Sequence, residues 1–597
     1  MNSFLLLFTC AAFAAAQQIP RPEYPQPQFE RADWLNLNGT WEFEFDDSNV
    51  GIEENWAAGD RKFSRSILVP FAFETPKSGI GDPSFHPWIW YRRPFNVPAG
   101  WKDKRMLLSF GAVDYRAWVW INGRFAGQHE GGSVPFRLDV TGLARPGANT
   151  VTVRVEDPPT DRFIPRGKQY WQPKSQGIFY TRTSGIWQTV WLEAAGSSYL
   201  DKVRITPALD GTVRFDAKIA RPRGELTLHA TVRFGNDVVA SGSAAAEGPR
   251  AALALNIADP RLWDVARPNL YDVTFDLRAG AQTLDRVKSY YGYRQVTAEN
   301  GRVYLNGRPL YLKMVLDQGY WPESTITPPS DEAIQYDIKM TKEMGFNGSR
   351  KHQKIEDPRF LYWADKMGLL VSGEMANAYL YDADYAARFT REWIEAIERD
   401  YNHPSIIMWI PINESWGVHN PRDPQQQYHL KANYMLTKSL DPTRLVIEND
   451  GWEHTDTTDL FGFHDYARTG TVFFDKYKDL GKPGFAFPPN GRAALLPGYR
   501  YNNSPIFLSE FGGIAYIAPG SKVPEASWGY SGVEPDQKAA FERLRGLYEA
   551  IARIPAIIGI CYTQITDVEQ EINGLMTYDR KLKFDPKQVR TLNEMLR

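Results

Sequence analysis

The chain has 597 residues, too many for one hydrophobic core, and its 43% hydrophobic and 23% charged content is that of an ordinary globular protein. With 69 Lys and Arg against 71 Asp and Glu the net charge is −2, so no nucleic acid or anionic membrane surface is expected as a partner. Aromatic residues reach 14%, with 19 Trp and 30 Tyr; β-sandwich cores account for much of such a load, and stacking platforms for sugar rings use the remainder.

Residues 1–16, MNSFLLLFTCAAFAAA, read as a signal peptide: a short apolar run followed by small residues before Gln17, although no Lys or Arg precedes the run. About ten apolar residues are too few to cross a bilayer, so a secreted or periplasmic protein without membrane insertion is expected. Cys10 in this leader is a poor match to a lipoprotein signal. Cys561 is the only other cysteine, so the mature chain has no intrachain disulfide.

After a Pro/Gln-rich stretch at residues 17–27, short segments of period-two alternation follow, such as residues 39–45, 105–110, 117–121 and 150–156, separated by turn residues like Asn122-Gly123. This pattern predicts an antiparallel sandwich over residues 17–195. Residues 196–296 stay β, with strands recurring in about 100 residues, as in an immunoglobulin-like β-sandwich. Nothing in that segment looks catalytic.

From residue 297 onward the rhythm becomes apolar strands alternating with helices. Strands are predicted at residues 311–315, 346–349, 369–372, 405–412, 445–447, 460–464, 505–509 and 557–562, with helices over 330–343, 360–367, 385–400, 425–440 and 536–553. Eight strands, mostly with a helix between them, predict a (β/α)8 barrel over residues 297–597. Most strands end in polar groups: Asp317 and Gln318, Arg350, Glu374, Asn413 and Glu414, His464 and Tyr466, Glu510, and Tyr562 to Gln564. Barrel strand ends converge on one pocket. Glu414 and Glu510 stand out, each directly after an apolar run on opposite sides of the barrel mouth. Two facing carboxylates, one protonated and one ionised, are what glycosidic bond cleavage needs.

The chain resembles glycoside hydrolase family 2, the group of β-galactosidases, β-glucuronidases and β-mannosidases. The likeness rests on Arg182-Thr-Ser-Gly-Ile-Trp-Gln, Leu305-Asn-Gly-Arg-Pro, Phe346-Asn with Arg350, Asn413-Glu414-Ser and Ser509-Glu510-Phe-Gly. It implies a jelly-roll sandwich, an immunoglobulin-like sandwich and a catalytic barrel in that order. It also implies that Glu414 is the acid/base and Glu510 the nucleophile of a retaining mechanism. Asn413 is then expected on the sugar 2-hydroxyl and Tyr466 beside the nucleophile, with Pro83 to Trp90 reaching the mouth.

Departures from the family pattern bear on the sugar. Where β-glucuronidases carry an Asn-x-Lys that holds the sugar carboxylate, the aligned stretch before Gly574 is Glu571-Ile572-Asn573. The lysine is missing, and Glu571 would repel a uronate. The family's Arg-x-x-His reads Arg350-Lys351-His352-Gln353, so the histidine falls one position early; Lys351, His352 and Lys354 form either a basic subsite or a solvated loop with salt bridges. Glu374 lacks a histidine two residues on, so neither a metal nor another cofactor is expected. The long stretches 467–504 and 512–533 are rich in Gly, Pro and aromatics and are candidates for walls around a chain-end sugar. The resulting expectation is an exo-acting glycosidase on an oligosaccharide or glycoside, β-galactosides first, with glucuronides, mannosides or arabinose-type sugars as alternatives. The rival of another class is a carbohydrate-binding protein with an inactive barrel. A homo-oligomer is left open.

Overall fold

The computed structural model of the chain describes residues 19–488 and 490–597, and the leader read from residues 1–16, with Cys10, lies outside them. In the N-terminal domain the alternating segments pair antiparallel in two sheets. One has four strands (Trp34–Asn36, Val190–Ala195, Arg105–Phe110, Phe136–Asp139) and one has six (Arg65–Val69, Gly39–Phe45, Trp88–Val97, Gly147–Glu156, Arg116–Ile121, Arg124–Glu130), each in that order. Their inward faces meet in a core that includes Trp41, Phe43, Leu108, Val119, Val153 and Leu192. The middle domain packs a three-stranded sheet on a four-stranded one around Phe215, Leu228 and Phe275.

The barrel strands are β1 (Leu312–Asp317), β2 (Gly348–Lys351), β3 (Leu370–Glu374), β4 (Ile406–Ile410), β5 (Leu445–Val446), β6 (Phe461–Asp465), β7 (Ile506–Gly512) and β8 (Ile557–Thr563). All pair in parallel, in the order β5-β4-β3-β2-β1-β8-β7-β6. β5 and β6 do not hydrogen-bond to each other, which leaves a seam beside the short β5. Helices α1 (Asp331–Glu343), α2 (Pro358–Met367), α3 (Ala383–Asp400), α4 (Pro424–Leu440), α5 (Gly470–Tyr477), α6 (Gln537–Ala552) and α7 (Pro586–Glu594) surround the sheet. Each starts at an N-cap side chain that accepts a backbone N–H, as Ser330 does from Ala333 and Asp382 from Tyr385.

Helix α7 and two further features differ from the sequence expectation. Helix α5 lies inside a stretch read as loop; it is only 8 residues long, opens with Gly-Thr-Val, and is held through buried Phe473 and Tyr477. The barrel does not follow the middle domain directly: an antiparallel meander (Val296–Glu299, Arg302–Leu305, Arg308–Leu310) comes first. Its Val296, Val303 and Leu305 join Leu312, Met314, Ile407, Met408 and Phe507 in one cluster, closing the N-terminal end of the barrel. The opposite, C-terminal end is therefore the open one.

Alternation along the strands sorts their side chains. Met314 and Leu316 of β1 face inward with the meander cluster, while Val315 packs with the outer helices. The same period turns Arg350 inward and Lys351 outward, toward Leu361, Val371 and Trp409. On β7 an irregular register between Leu508 and Phe511 brings Glu510 to the interior, where its carboxylate meets Arg350.

Candidate active site

Asn413 and Glu414 leave β4 by a sharp turn. Asn413 continues the parallel pairing to Asp450, the Glu414 amide donates to the Asp450 carbonyl at 2.8 Å, and the Asn413 amide donates to Asn377 Oδ1 at 3.0 Å. Glu414 and Ser415 both have left-handed backbones, φ 53° and 60°, a conformation that costs a non-glycine residue energy and persists only where surroundings enforce it. The turn aims the Glu414 carboxylate back across the mouth. Oxygens of Glu414 and Glu510 and a ring nitrogen of His464 all lie within 4.8 Å of one another.

The two carboxylates have different surroundings. Glu510 Oε1 accepts from Arg350 Nη1 at 3.1 Å, and Oε2 accepts a short hydrogen bond from the Tyr466 hydroxyl. The Tyr466 ring stacks on Tyr530 at 3.5 Å. Burial and the adjacent Glu510 charge push the Tyr466 phenol well above its ordinary range, so it stays a donor. Glu414 Oε1 instead meets His464 Nδ1 at 2.8 Å, and Glu414 is the more exposed of the pair.

Arg350 is the hub. Fully buried, it donates to Glu374 at 2.9 Å, to Asn413 Oδ1 at 2.6 Å and to the Ser509 carbonyl at 3.0 Å, and it pairs with Asp450 at 2.6 Å besides Glu510. Because Asn413 Oδ1 is taken by Arg350, its amide Nδ2 is fixed as a free donor with no partner among the described residues. That orphan N–H is what a substrate hydroxyl would satisfy. Burial pushes the Glu374 carboxyl up to about 7 despite Arg350, and its other oxygen lies 2.6 Å from His352 Nδ1. Burial, aided by the charges of Lys168 and Arg350, holds His352 well below the ordinary range, so it is neutral.

His464 behaves in the opposite way. Burial works against its charge, but Glu510 and the hydrogen bonds to Asp450 and Glu414 outweigh it and push the imidazole up to about 10. It therefore donates from both nitrogens, to Glu414 at 2.8 Å and to Asp450 at 3.2 Å. A raised imidazole stabilises the fold fully below its ordinary value of 6.5 and loses that contribution progressively as pH climbs toward about 10. Unfolding midpoints followed from about pH 6 to pH 10 should thus fall more steeply for the native protein than for His464→Gln. Parallel curves would show that His464 carries no proton in the fold.

The far wall is built from β8 and the N-terminal domain. Gln564 Nε2 donates to Asn573 Oδ1 at 2.9 Å, Asn573 Nδ2 to Glu571 Oε1 at 3.0 Å, and the Tyr180 hydroxyl to Glu571 Oε2 at 2.7 Å. Gln564 Oε1 is left without a partner among the described residues. Lys168, from the same N-terminal segment as Tyr180, lies with its ammonium 5.0 Å from the centre of the Trp416 ring. Trp171, Phe179 and Tyr379 extend Trp416 into an aromatic cluster, with ring centres 4.3–5.4 Å apart.

Residues 35–193 match the description "Glycosyl hydrolases family 2, sugar binding domain", residues 198–294 "Glycosyl hydrolases family 2" and residues 296–522 "Glycosyl hydrolases family 2, TIM barrel domain". The chain belongs to glycosyl hydrolase family 2. Among family 2 relatives, a β-glucuronidase of Paenibacillus borealis is 25% identical over 514 residues, 80% of this chain and 82% of the relative. A β-galactosidase of Leuconostoc mesenteroides is 26% identical over 472 residues, 71% of this chain but 43% of the relative. In structure, a β-glucuronidase of Ruminococcus gnavus solved with D-glucuronic acid superposes with TM-score 0.76 at 20% identity, over 96% of this chain and 99% of that one. A family 2 β-galacturonidase of Eisenbergiella tayi gives TM-score 0.74 at 20% identity, over 97% and 99%.

The family 2 fold gathers Arg350, His352, Glu374, Asn413, Glu414, His464, Tyr466 and Glu510 at one mouth, with Gln564, Glu571 and Asn573 linked along one wall. Asp317 and Tyr562 are placed elsewhere, since strand alternation turns both outward. Asp317 pairs with Lys351 at 2.6 Å, and Tyr562 packs against Phe511 and donates to the Asn573 carbonyl. Gln318 is buried beyond β1, with an Oε1 that has no partner among the described residues. Lys351 and Lys354 form neither a basic subsite nor a solvated loop: both are buried and bound to Glu356, at 2.6 and 3.1 Å. In the stretch 467–504, Phe485, Phe487 and Tyr501 pack together beside Phe461 instead of walling the pocket. Trp88 and Trp90 stay in the N-terminal sandwich, Pro83 lines a cavity with Glu569 and Ile572 of the barrel, and the segment around Lys168 and Tyr180 reaches the site. Asp450, Lys168, Tyr180 and Tyr530 stand at the site unforeseen; only Asp450, which follows the apolar run of β5, carried the strand-end signal that flagged the others.

Proposed function

We propose that this family 2 glycosidase is an exported, retaining, exo-acting β-glycosidase that removes a non-reducing-end sugar, with β-galactosides as the first substrate class. The observation that carries the retaining reading is the approach of the Glu414 and Glu510 carboxylates to within 4.8 Å. Retaining enzymes hold the pair about 5–5.5 Å apart, whereas inversion needs about 6.5–9.5 Å to admit water between carboxylate and sugar. Glu510, held by Arg350 and Tyr466 with its lone pairs directed, attacks the anomeric carbon. Glu414 gives its proton to the departing oxygen, and the glycosyl ester forms. Once the glycosyl ester has formed, Glu414 serves as base toward water. The free Asn413 N–H is available to the sugar 2-hydroxyl throughout.

Exo action is supported by the closed wall. Trp528 donates to the Gly177 carbonyl at 2.9 Å and Gln570 to Gly177 and Phe179 at 2.7 and 2.9 Å, lashing the loops after β7 and β8 to the N-terminal domain. A glucuronide is the second reading, favoured by the several relatives that bear that name. Hydrolysis of a panel of aryl β-glycosides tests the choice: turnover of a galactoside ahead of a glucuronide is expected, and clear turnover of another glycone with none of any galactoside ends it. Glu414→Ala should depress poor leaving groups by at least about a hundredfold more than activated aryl groups, since only the former need the proton. Equal losses on both would remove Glu414 from the acid role.

A further inference from the structure

Lys168 is a mostly buried residue, 7% exposed, and among the described residues its ammonium makes no hydrogen bond and no ion pair within 4.0 Å. Its position is deliberately fixed. Gly167, at φ +58°, lies so close to the Gln353 carbonyl that a Cβ would stand 2.1 Å from that oxygen. The Gly167 amide donates to the Asn377 carbonyl at 3.0 Å, and the Tyr379 hydroxyl bonds both the Gly167 and Gln169 carbonyls, at 2.7 and 2.5 Å. Asn377 is also the residue that anchors the Asn413 amide. The Tyr180 amide in turn donates to the Lys168 carbonyl at 2.8 Å, while its hydroxyl holds Glu571. One N-terminal segment thus fixes the lysine and buttresses the carboxylate.

We propose that Lys168 and Glu571 are a specificity pair that seats a hydroxyl of the glycone between them, the oxygen accepting from the ammonium and its proton going to the carboxylate, so that the site selects a neutral sugar over a uronic one. Burial pushes the Glu571 carboxyl up, Lys168 pulls it down and Glu510 adds to the rise, so the lysine and the nucleophile both stand near it. A largely desolvated cation without a partner is costly, and the Glu571 carboxyl keeps acceptor capacity beyond its hydrogen bonds from Tyr180 and Asn573. A hydroxyl, both donor and acceptor, answers both groups at once. A substrate carboxylate would satisfy Lys168 and confront Glu571.

This inference rests on the glycosidase reading above. The experiment measures kcat and KM of the native enzyme, Lys168→Met, Glu571→Gln and the double variant on aryl β-galactoside and aryl β-glucuronide. Lys168→Met should lower kcat/KM on the galactoside about 10- to 100-fold, the size of one hydrogen bond to a charged group. Glu571→Gln keeps the shape and can still meet Tyr180 and Asn573 but drops the charge. It should raise the uronide-to-galactoside ratio at least about tenfold, and the double variant should lose that gain because the cation is gone. A gain that survives in the double variant, or a ratio that does not move, overturns the pair while leaving the glycosidase intact. A native enzyme inert on every glycoside overturns the glycosidase reading, and this inference with it. Inhibition of the native enzyme needs no variant: D-galactose should compete better than D-galacturonate, and the reverse order refutes the proposal.

Discussion

Glu510→Ala is expected to reduce kcat by roughly four to six orders of magnitude, the loss seen when a covalent nucleophile is removed from a site that otherwise still binds substrate. The fold should tolerate the change. Arg350 keeps Glu374 and Asp450 as counter-charges, and Tyr466 keeps Thr563 Oγ1 at 3.1 Å as a hydrogen-bond partner. The cavity left by the carboxylate opens onto the mouth rather than into the core. A small anion such as azide should enter it and attack the anomeric carbon directly. With an activated aryl substrate, azide should restore turnover and give the glycosyl azide of inverted configuration, because one displacement replaces two. Unfolding curves that overlay those of the native protein, beside lost activity and azide rescue, would assign the nucleophile. Near-normal turnover without azide would refute it, and rescue with retained configuration would point to another group as the attacking atom.

What was legible in the chain follows from where each signal lies. The eight barrel strands are buried on both faces, so they read as short apolar runs, and a carboxylate ending such a run is conspicuous; Glu414 and Glu510 were found that way. Period two also decides which strand residues face the pocket, but a strand end does not announce its phase. Asp317 and Tyr562 were therefore expected at the mouth, although each lies one step out of phase with the inward residues and faces the helices. The irregular register in β7 has no mark in the sequence. Lys168 and Tyr180 were invisible for a different reason: they lie in a loop of another domain, and only docking against Asn377 and Tyr379 brings them to Glu571. The departure at Glu571 to Asn573 was readable as a change of specificity, but the cation that complements it was not.

The second large effect is expected at Arg350. No solvent reaches this side chain, and Glu374, Asp450, Glu510, Asn413 and the Ser509 carbonyl converge on it. Arg350→Met leaves three buried carboxylates with His464 as the nearby cation, and stripping one partner from a buried ion pair costs about 3–5 kcal/mol. Part of that is relieved by protonation: Glu374, already pushed up to about 7, would take a proton at neutral pH without the guanidinium. Activity should fall further than stability, by about a thousandfold or more, because two alignments fail together. Glu510 loses a directed donor, and Asn413 loses the contact that fixes its amide with the N–H facing outward. Arg350→Lys separates charge from geometry. It returns a cation, but one ammonium with three donors cannot hold five acceptors spread around a planar fork. Denaturant midpoints for the lysine variant should recover part of the lost stability, while kcat stays close to that of the methionine variant. Recovery of both together would mean that the site needs only a positive charge at this point, and the orientation of Asn413 would then have to come from Asn377 and the turn at Glu414 alone.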